Sequence, residues 1–342
     1  MKKGFALQWH ITEKCDQRCK HCYIYGGEDC NLKKDLSINE MAVILQNFVD
    51  FCNRVNKYPV LSITGGDPLL YENVWEFLEL VKSYGIKFHI LGNPFHLNDE
   101  VASRLKELGC THYQMSLDGL EKTHDAIRMP GSYKATLSKI KCLKNAGIIA
   151  TIMATVSKMN MEELPDLVDF VVENNVDRFA FARYCPNPGD EDMMPSPLEY
   201  KDFLEKMWSK YEKYKDSSTL FSLKEHLWTL FLYEKGLFNI EDIQNKDNLI
   251  LDGCHCGICH MTLLTDGTVY ACRRSETPIG NVPDQSFYDI FFGNEMEKYR
   301  QYDSFEACSK CELLCYCRGC PSVANCSKGN FYAKDPQCWK EV

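Results

Sequence analysis

Three cysteines close to the N-terminus are spaced for metal chemistry. Cys15, Cys19 and Cys22 lie in the segment EKCDQRCKHCYIYGG, directly after the apolar run FALQWHI. A disulfide would use two of these thiols and leave one over, and a structural zinc site needs four ligands. Thiolates favour iron–sulfur clusters, zinc and copper(I). Three thiolates on one short loop therefore suggest a metal centre with an open position, such as a 4Fe–4S cluster with one free iron.

A second and larger group of cysteines lies toward the C-terminus. Eleven of the nineteen cysteines fall between Cys254 and Cys338. An odd cysteine count without a secretion signal disfavours a disulfide framework and favours metal or redox use. Outside the two groups the cysteines are scattered, and we interpret most of them as small buried or inert thiols: Cys30, Cys52, Cys110, Cys142 and Cys185.

The composition excludes several classes of partner. A net charge of −9, from 39 basic and 48 acidic residues, disfavours a nucleic acid held through its phosphates. No apolar run approaches the roughly 18 residues that a membrane-spanning helix needs. His10, Glu13 and Lys14 interrupt the early apolar stretch, which argues against a signal peptide. We therefore expect no nucleic acid, no membrane and a cytoplasmic location.

The elements that position the first cysteines alternate between strand and helix from residue 5 to about residue 215. Six apolar runs of strand length, from FALQWHI to VDRFAFARY, are separated by amphipathic stretches of helical length. Ser37 and Glu40 have capping-box spacing before one of these stretches. The repeats predict a parallel sheet with right-handed crossovers, as an open sheet or a full or partial barrel. The cysteine loop then lies at the C-terminal edge of the sheet, where such folds collect functional groups.

The remainder of the chain changes character twice. From about residue 197 to residue 250 the sequence is helical, charged and aromatic, and we expect it to pack through Trp208 and Tyr211. From residue 251 it is Cys-rich and interrupted by Gly and Pro. We place the domains at residues 1–215, 216–250 and 251–342, and we predict that the second is a helical bridging segment.

The opening loop resembles the hallmark of the radical S-adenosylmethionine (radical SAM) superfamily, which has an aromatic residue directly before its last cysteine, here His21. SITGGDPLL resembles the superfamily's Gly-Gly-Glu-Pro motif, with Asp67 in place of the Glu, and MSLDGLEKTHDAIRMPGSY resembles the fourth-strand region of peptide-modifying members. The resemblance implies an α/β fold with a partial (β/α)6 TIM-like barrel. It also implies contacts to SAM from His21, Tyr23, Gly65, Gly66, Asp67, Pro68, Ser116 and Arg128.

Two of these assignments have structural alternatives. Gly65, Gly66 and Pro68 taken alone also fit a tight turn between a strand and a helix. Ser116 also fits a residue at a strand end that caps the next helix. In the family the backbone of the Gly-Gly-Glu-Pro motif binds the amino group of SAM, so we expect Asp67 to be tolerated in place of Glu.

The C-terminal cysteines resemble the SPASM domain, a small auxiliary-cluster module. Its opening Cys and Gly-x4-Cys match Cys254 and the segment GTVYAC, and its Cys-x2-Cys-x5-Cys run is also present. The family has three residues before the next cysteine where CRGC has two, so Cys315 competes with Cys317, and Cys256 and Cys326 are further alternates. The resemblance implies two auxiliary 4Fe–4S clusters, the first on Cys254, Cys259, Cys272 and Cys320 and the second on Cys308, Cys311, Cys317 and Cys338. A pair of structural zinc sites is the rival interpretation.

The resemblance implies a maturase that cleaves SAM reductively and abstracts a hydrogen atom from a residue of a ribosomally made peptide, for instance to form a crosslink. It implies three 4Fe–4S clusters and an electron donor such as flavodoxin or ferredoxin. The chain begins almost at its first strand, so we expect recognition by the barrel, the SPASM module or a separate peptide-recognition protein. Arg273 stands where sulfatase-maturing relatives carry an Asp base, which disfavours formylglycine formation. The alternatives are a radical SAM dehydrogenase or coupling enzyme for a small molecule, and a non-catalytic redox sensor or scaffold.

Overall fold

A computed structural model describes residues 3–25, 34–187, 189–240 and 253–341. Its strands are β1 (Gly4–Thr12), β2 (Tyr58–Gly65), β3 (Phe88–Leu91), β4 (Cys110–Ser116), β5 (Ile149–Val156), β6 (Arg178–Arg183), β7 (Leu220–Phe221), β8 (His260–Leu263), β9 (Thr268–Tyr270) and β10 (Pro278–Asn281). Its helices are α1 (Ile38–Arg54), α2 (Val74–Ser83), α3 (Asp99–Leu108), α4 (Glu121–Ile127), α5 (Ser132–Asn145), α6 (Leu164–Glu173), α7 (Pro197–Lys213), α8 (Trp228–Glu234), α9 (Phe287–Phe291), α10 (Asn294–Glu297) and α11 (Pro321–Lys328). None of these described helices is both long and apolar enough to cross a membrane.

All these strands belong to one open sheet in the order β10-β9-β8-β1-β2-β3-β4-β5-β6-β7. The strands from β8 to β7 in that order run parallel, and β9 is antiparallel to both of its neighbours. The six predicted strands form the consecutive series β1 to β6. The α/β class and the partial barrel are therefore confirmed.

Local sequence signals explain where α1 begins and where α3 ends. The Ser37 hydroxyl accepts a hydrogen bond from the Glu40 N–H and the Glu40 carboxylate accepts one from the Ser37 N–H, so the predicted capping box starts α1. Helix α3 ends at Gly109, whose φ of 107° is left-handed and therefore suits glycine. The apolar stripe of α1 packs against the sheet through Met41, Ile44, Leu45, Phe48, Phe51 and Cys52.

The Cys-rich region is not folded on a sheet of its own. Its strand β8 pairs in parallel with β1, with Ala6 opposite His260 and Trp9 opposite Leu263. The predicted boundary at residue 251 therefore separates two parts of one continuous sheet. The segment 216–250, predicted as a helical bridging segment, contains helix α8 and also strand β7, which extends the sheet beside β6. Residues 241–250 lie outside the described residues.

A buried guanidinium links the end of β6 to two distant segments. Arg183 Nε donates to Glu225 Oε1 at 2.6 Å, and its two terminal nitrogens donate to the oxygens of Asp335 at 2.7 and 2.8 Å. All three side chains are at most 1% exposed. Burial alone would raise the pKa of Glu225, but Arg183 holds it well below its usual range. The network therefore joins β6, the segment before α8 and the C-terminal segment through fully charged groups.

We predict that Arg183→Met destabilises the fold by about 3–5 kcal/mol, because it leaves two carboxylates buried without a cation. The matched control is Lys206→Met, which removes exposed ion pairs with Glu162 and Asp202 and should cost about 1 kcal/mol or less. Thermal unfolding of the anaerobic holoprotein, followed by circular dichroism, measures both changes. Equal shifts of the two midpoints would show that the buried network is not a principal support of the fold.

Candidate functional site

The three N-terminal cysteines lie on the loop after β1 and face one cavity of about 260 Å³. The loop is fixed by backbone hydrogen bonds from Cys22 N–H to the Cys19 carbonyl at 3.0 Å and from Lys20 N–H to the Ile127 carbonyl at 2.9 Å. The cavity lies at the C-terminal ends of β2 to β6, as the position of the loop predicted. The residues that those strands contribute to it include Thr64, Leu91, Gln114, Ser116, Thr155 and Arg183.

Two polar side chains approach the thiols of this loop. The Asn93 amide donates to Cys15 Sγ at 3.2 Å, and the Arg128 guanidinium lies 3.6 Å from Cys19 Sγ. Burial raises the pKa of the Cys15 thiol, and it raises that of Cys19 to about 11 although Arg128 acts in the opposite direction. Metal binding must therefore displace the thiol protons. Asn93 was missed by the sequence reasoning, and its signal was a polar residue just after an apolar strand.

Arg128 is held by a buried carboxylate that the sequence reasoning also missed. Its Nε donates to Asp118 Oδ2 at 2.5 Å, while Asp118 Oδ1 accepts from the Thr155 N–H at 2.8 Å. Burial would raise the pKa of Asp118, but Arg128 and His21 lower it, so the carboxylate remains charged. Asp118 therefore orients Arg128 toward the cysteine loop. Arg128 also lines the cavity, where it was predicted to contact SAM.

The predicted SAM residues divide into two sets. Asp67 and Pro68 do not line the cavity, because the Asp67 carboxylate caps the short 3-10 helix Pro68–Leu70. The side chain of Ser116 lies at the cavity and is not the cap of α4, which begins after Leu120 without a side-chain cap. The predicted SAM residues that do line the cavity are His21, Tyr23, Gly65, Gly66, Ser116 and Arg128.

The two glycines are required by the cysteine loop itself. A Cβ at Gly65 would lie 2.1 Å from the Thr12 carbonyl oxygen, and one at Gly66 would lie 2.2 Å from the Lys14 carbonyl oxygen. The Gly66 N–H donates to the Thr12 carbonyl at 2.9 Å and the Asp67 N–H donates to the Lys14 carbonyl at 2.8 Å. Two backbone hydrogen bonds thus hold the GGDP segment against the chain just before Cys15. The two backbones approach so closely that only glycine, which has no Cβ, fits at positions 65 and 66.

A second cavity, of about 700 Å³, adjoins the first. The two share lining residues that include Tyr23, Gln114, Thr155 and Arg274. Tyr23 is 45% exposed, and the Arg273 guanidinium lies 4.3 Å from its ring centre. The basic residues that line the second cavity include Lys224, His226, Arg273 and Arg274, and the acidic residue Glu225 also lines it.

Four C-terminal cysteines line this second cavity: Cys254, Cys256, Cys272 and Cys320. A hydrogen bond from the Cys256 thiol lowers the pKa of both Cys254 and Cys272. A hydrogen bond from Cys185 lowers the pKa of Cys320, with further help from His226 and Arg274. The direction of these shifts favours the thiolate, which is the form that binds metals.

The structure groups three cysteines differently from the sequence assignment. Cys259, predicted as a ligand of the first auxiliary cluster, does not line the second cavity, and the charges that act on it come first from Lys57 and Lys3. Cys256, predicted as a spare, lies with the group instead. Cys185, interpreted as an inert thiol, lines the first cavity and contacts Cys320. Thiols from separate segments meet here, and linear spacing does not reveal which of them do so.

The other predicted C-terminal set is brought together around a small cavity, which is lined by Cys308, Cys311, Cys317 and Cys338. Cys315 is exposed and lines a different cavity, beside Arg300. Burial raises the pKa of Cys308 to about 12 and also raises that of Cys317. Cys326 is half-buried, and its thiol lies 3.9 Å from the Arg274 carbonyl oxygen.

The spacing of the thiols can be tested against zinc. Tetrahedral coordination at a Zn–S distance of about 2.3 Å brings thiolate sulfurs to about 3.8 Å from one another. Within the described residues, no group of three cysteines has its sulfurs all within 4.8 Å of one another; the one such group of potential ligands is Asp16, Asp67 and His96. No trio of described cysteines therefore has the compact sulfur arrangement of a closed zinc site.

Comparison with known proteins agrees with this geometry. The family model of the radical SAM superfamily matches residues 9–171, and that of the SPASM iron–sulfur cluster-binding domain matches residues 254–321. The chain therefore contains a radical SAM domain followed by a SPASM domain. It is a radical SAM/SPASM enzyme.

The similar proteins fall into two groups, named as heme or Fe-coproporphyrin III synthases and as maturases. The AdoMet-dependent heme synthase of Methanosarcina barkeri is 27% identical over 97% of this chain and 95% of that protein, and the Fe-coproporphyrin III synthase of the same organism is 26% identical over 98% and 87%. The mycofactocin maturase MftC of Mycolicibacterium smegmatis is 23% identical over 97% and 82%. The structure of Streptococcus suis SuiB bound to its precursor peptide SuiA shares the fold, with a TM-score of 0.75 and 21% identity over 99% of this chain and 77% of that one.

The regrouped cysteines make a testable prediction. We expect Cys256→Ala to remove about four of about twelve irons per chain, and Cys259→Ala to leave the iron content unchanged, on the basis of three four-iron clusters. Iron analysis and visible absorbance of the anaerobically reconstituted proteins measure this. Loss of iron only in the Cys259 variant would restore the assignment made from the sequence.

Proposed function

We propose that the enzyme modifies a ribosomally made peptide by abstracting a hydrogen atom from one of its residues. The observation that carries this proposal is the continuity of two cavities, one at the three-cysteine loop and a larger one that shares Tyr23, Gln114 and Thr155 with it. A group held in the second cavity therefore lies next to the place where SAM is expected. Likeness to the MftC maturase and to the fold of peptide-bound SuiB supports a peptide substrate.

The residues have distinct roles in this proposal. Cys15, Cys19 and Cys22 would hold a 4Fe–4S cluster, and that cluster with SAM supplies the electron and the hydrogen-abstracting radical when both are bound. Asp118 and Arg128 hold the loop of Cys19 in place by charge-assisted hydrogen bonds.

The two auxiliary cysteine groups would hold further 4Fe–4S clusters. With four thiolates on each cluster no iron is left open, so these clusters are suited to electron transfer rather than to SAM binding. Cys320 is linked to the first cavity through its contact with Cys185, which lines that cavity. An electron left after a substrate radical closes a new bond would thus have an acceptor nearby. An external donor such as flavodoxin or ferredoxin would supply the reducing electron.

The basic side chains of the second cavity would orient an acidic group of the substrate. Burial and the neighbouring Arg274 lower the pKa of Lys224 to about 8, so it still carries a charge at neutral pH. Burial would lower the pKa of His226, but hydrogen bonds with Cys254 and Glu225 raise it to about 10. Both cations would therefore attract a carboxylate at neutral pH.

A small carboxylated molecule is the second candidate substrate. The relatives with the higher identities are a heme synthase and an Fe-coproporphyrin III synthase. Porphyrins carry propionate groups, and the same cations, Lys224, His226 and Arg273, would suit them. In this candidate the radical would act on a side chain of the macrocycle rather than on a peptide residue.

One experiment separates the two candidates. We expect the reduced holoenzyme with SAM to form 5′-deoxyadenosine together with a mass change in a synthetic peptide, chosen from the short reading frames beside the gene. Fe-coproporphyrin III is the parallel substrate, and mass spectrometry reads out both. Conversion of the porphyrin with no change in any peptide would overturn the peptide proposal and leave the radical chemistry intact.

A further inference from the structure

A second group of potential ligands lies behind the cysteine loop. Asp16 follows Cys15 directly, Asp67 starts the turn after β2, and His96 lies between β3 and α3. One ligand atom from each of Asp16, Asp67 and His96 falls within 4.8 Å of the other two. None of the three lines the cavity of the cysteine loop, so the group is separate from the predicted SAM site.

The buried member of the group is incompletely paired. Asp67 is 0% exposed, and its Oδ1 accepts a hydrogen bond from the Leu69 N–H at 3.2 Å. The Asn93 N–H also approaches this carboxylate, but Oδ2 has no hydrogen-bond partner. A buried carboxylate oxygen without a partner is costly, because its desolvation is not compensated.

The charge around the group is also unbalanced. Asp16 Oδ2 lies 2.9 Å from His96 Nε2. In the part of the chain that the structure describes, neither Asp16 nor Asp67 has a Lys or Arg within ion-pair distance. Burial raises the pKa of Asp67 to about 6, and the neighbouring Asp16 acts in the same direction. A cation would offset the two negative charges.

We propose that Asp16, Asp67 and His96 bind a divalent cation of the Mn²⁺ type. Two carboxylates and one imidazole suit first-row divalent ions, with carboxylate favouring Mn²⁺ and imidazole accepted by the same series. The cation would fasten the loop after β1 to the turn after β2 and to the loop after β3. It would act on the cysteine loop through Asn93, whose amide donates to Asp16 Oδ1 at 3.1 Å and to Cys15 Sγ at 3.2 Å.

Mn²⁺ binding to the reconstituted holoprotein tests the proposal without any activity measurement. Free aqueous Mn²⁺ gives a six-line EPR signal that weakens on binding, and oxidised 4Fe–4S clusters are EPR-silent. We expect one Mn²⁺ per wild-type chain. Asp16→Asn and His96→Gln should each weaken binding about tenfold or more, which is typical of a lost metal-site contact. Asp289→Asn, at the exposed N-terminus of α9, is the matched control and should bind as the wild type does.

Three results would overturn the proposal. The first is absence of Mn²⁺ binding to wild-type protein at millimolar Mn²⁺, and the second is equal affinity of wild type, Asp16→Asn and His96→Gln. The third is displacement of Mn²⁺ by one equivalent of SAM, which would assign the free oxygen of Asp67 to the ammonium group of SAM. Iron content and visible absorbance of each variant show whether the cluster sites are intact. None of these results depends on the substrate of the enzyme.

Discussion

A single buried guanidinium holds the two cysteine-bearing parts of this enzyme in a fixed relation. Arg183 ends β6, pairs with Glu225 and Asp335, and is itself 1% exposed. The same Asp335 accepts a hydrogen bond from the Cys320 N–H at 2.7 Å. A charge buried this deeply is costly without its counter-charges, so the network favours the arrangement in which the three segments meet. That arrangement places Cys320 at the side of the barrel opening.

The position of the SPASM region follows from this constraint together with the β1–β8 pairing. Strand β8 extends the sheet beyond β1, while the Arg183 network holds the C-terminal segment beside β6. The Cys-rich region thus contacts the barrel at β1 and at β6, near the ends of the predicted series of six strands. The cavity between the two parts contains the basic side chains and the lowered-pKa thiols, and it opens to the cysteine loop. In the proposed function, the electron acceptor, the substrate and SAM would therefore lie close together because of the fold.

The sequence predicted what depends on local spacing. Strand and helix periodicity located β1 to β6, and the loop of Cys15 was placed correctly at the C-terminal edge of the sheet. Contacts between distant segments could not be predicted from the sequence. These are the pairing of β8 with β1, the ion pair of Arg183 with Asp335, and the contact between the thiols of Cys185 and Cys320. Such contacts depend on tertiary packing, and several cysteines with similar spacing satisfy the same linear pattern. Cys256 and Cys259 lie three positions apart in the sequence, and only the folded structure shows that Cys256 lines the second cavity and Cys259 does not.

In the proposed function, SAM is cleaved at the loop of Cys15, Cys19 and Cys22. The most direct test is the formation of 5′-deoxyadenosine from SAM by chemically reduced holoprotein, comparing wild type with Cys19→Ala and with the exposed control Cys315→Ala. We predict product from wild type and from the control. Cys19→Ala should give none, while retaining about eight irons in two auxiliary clusters. Formation of 5′-deoxyadenosine by Cys19→Ala at the wild-type rate would contradict the claim.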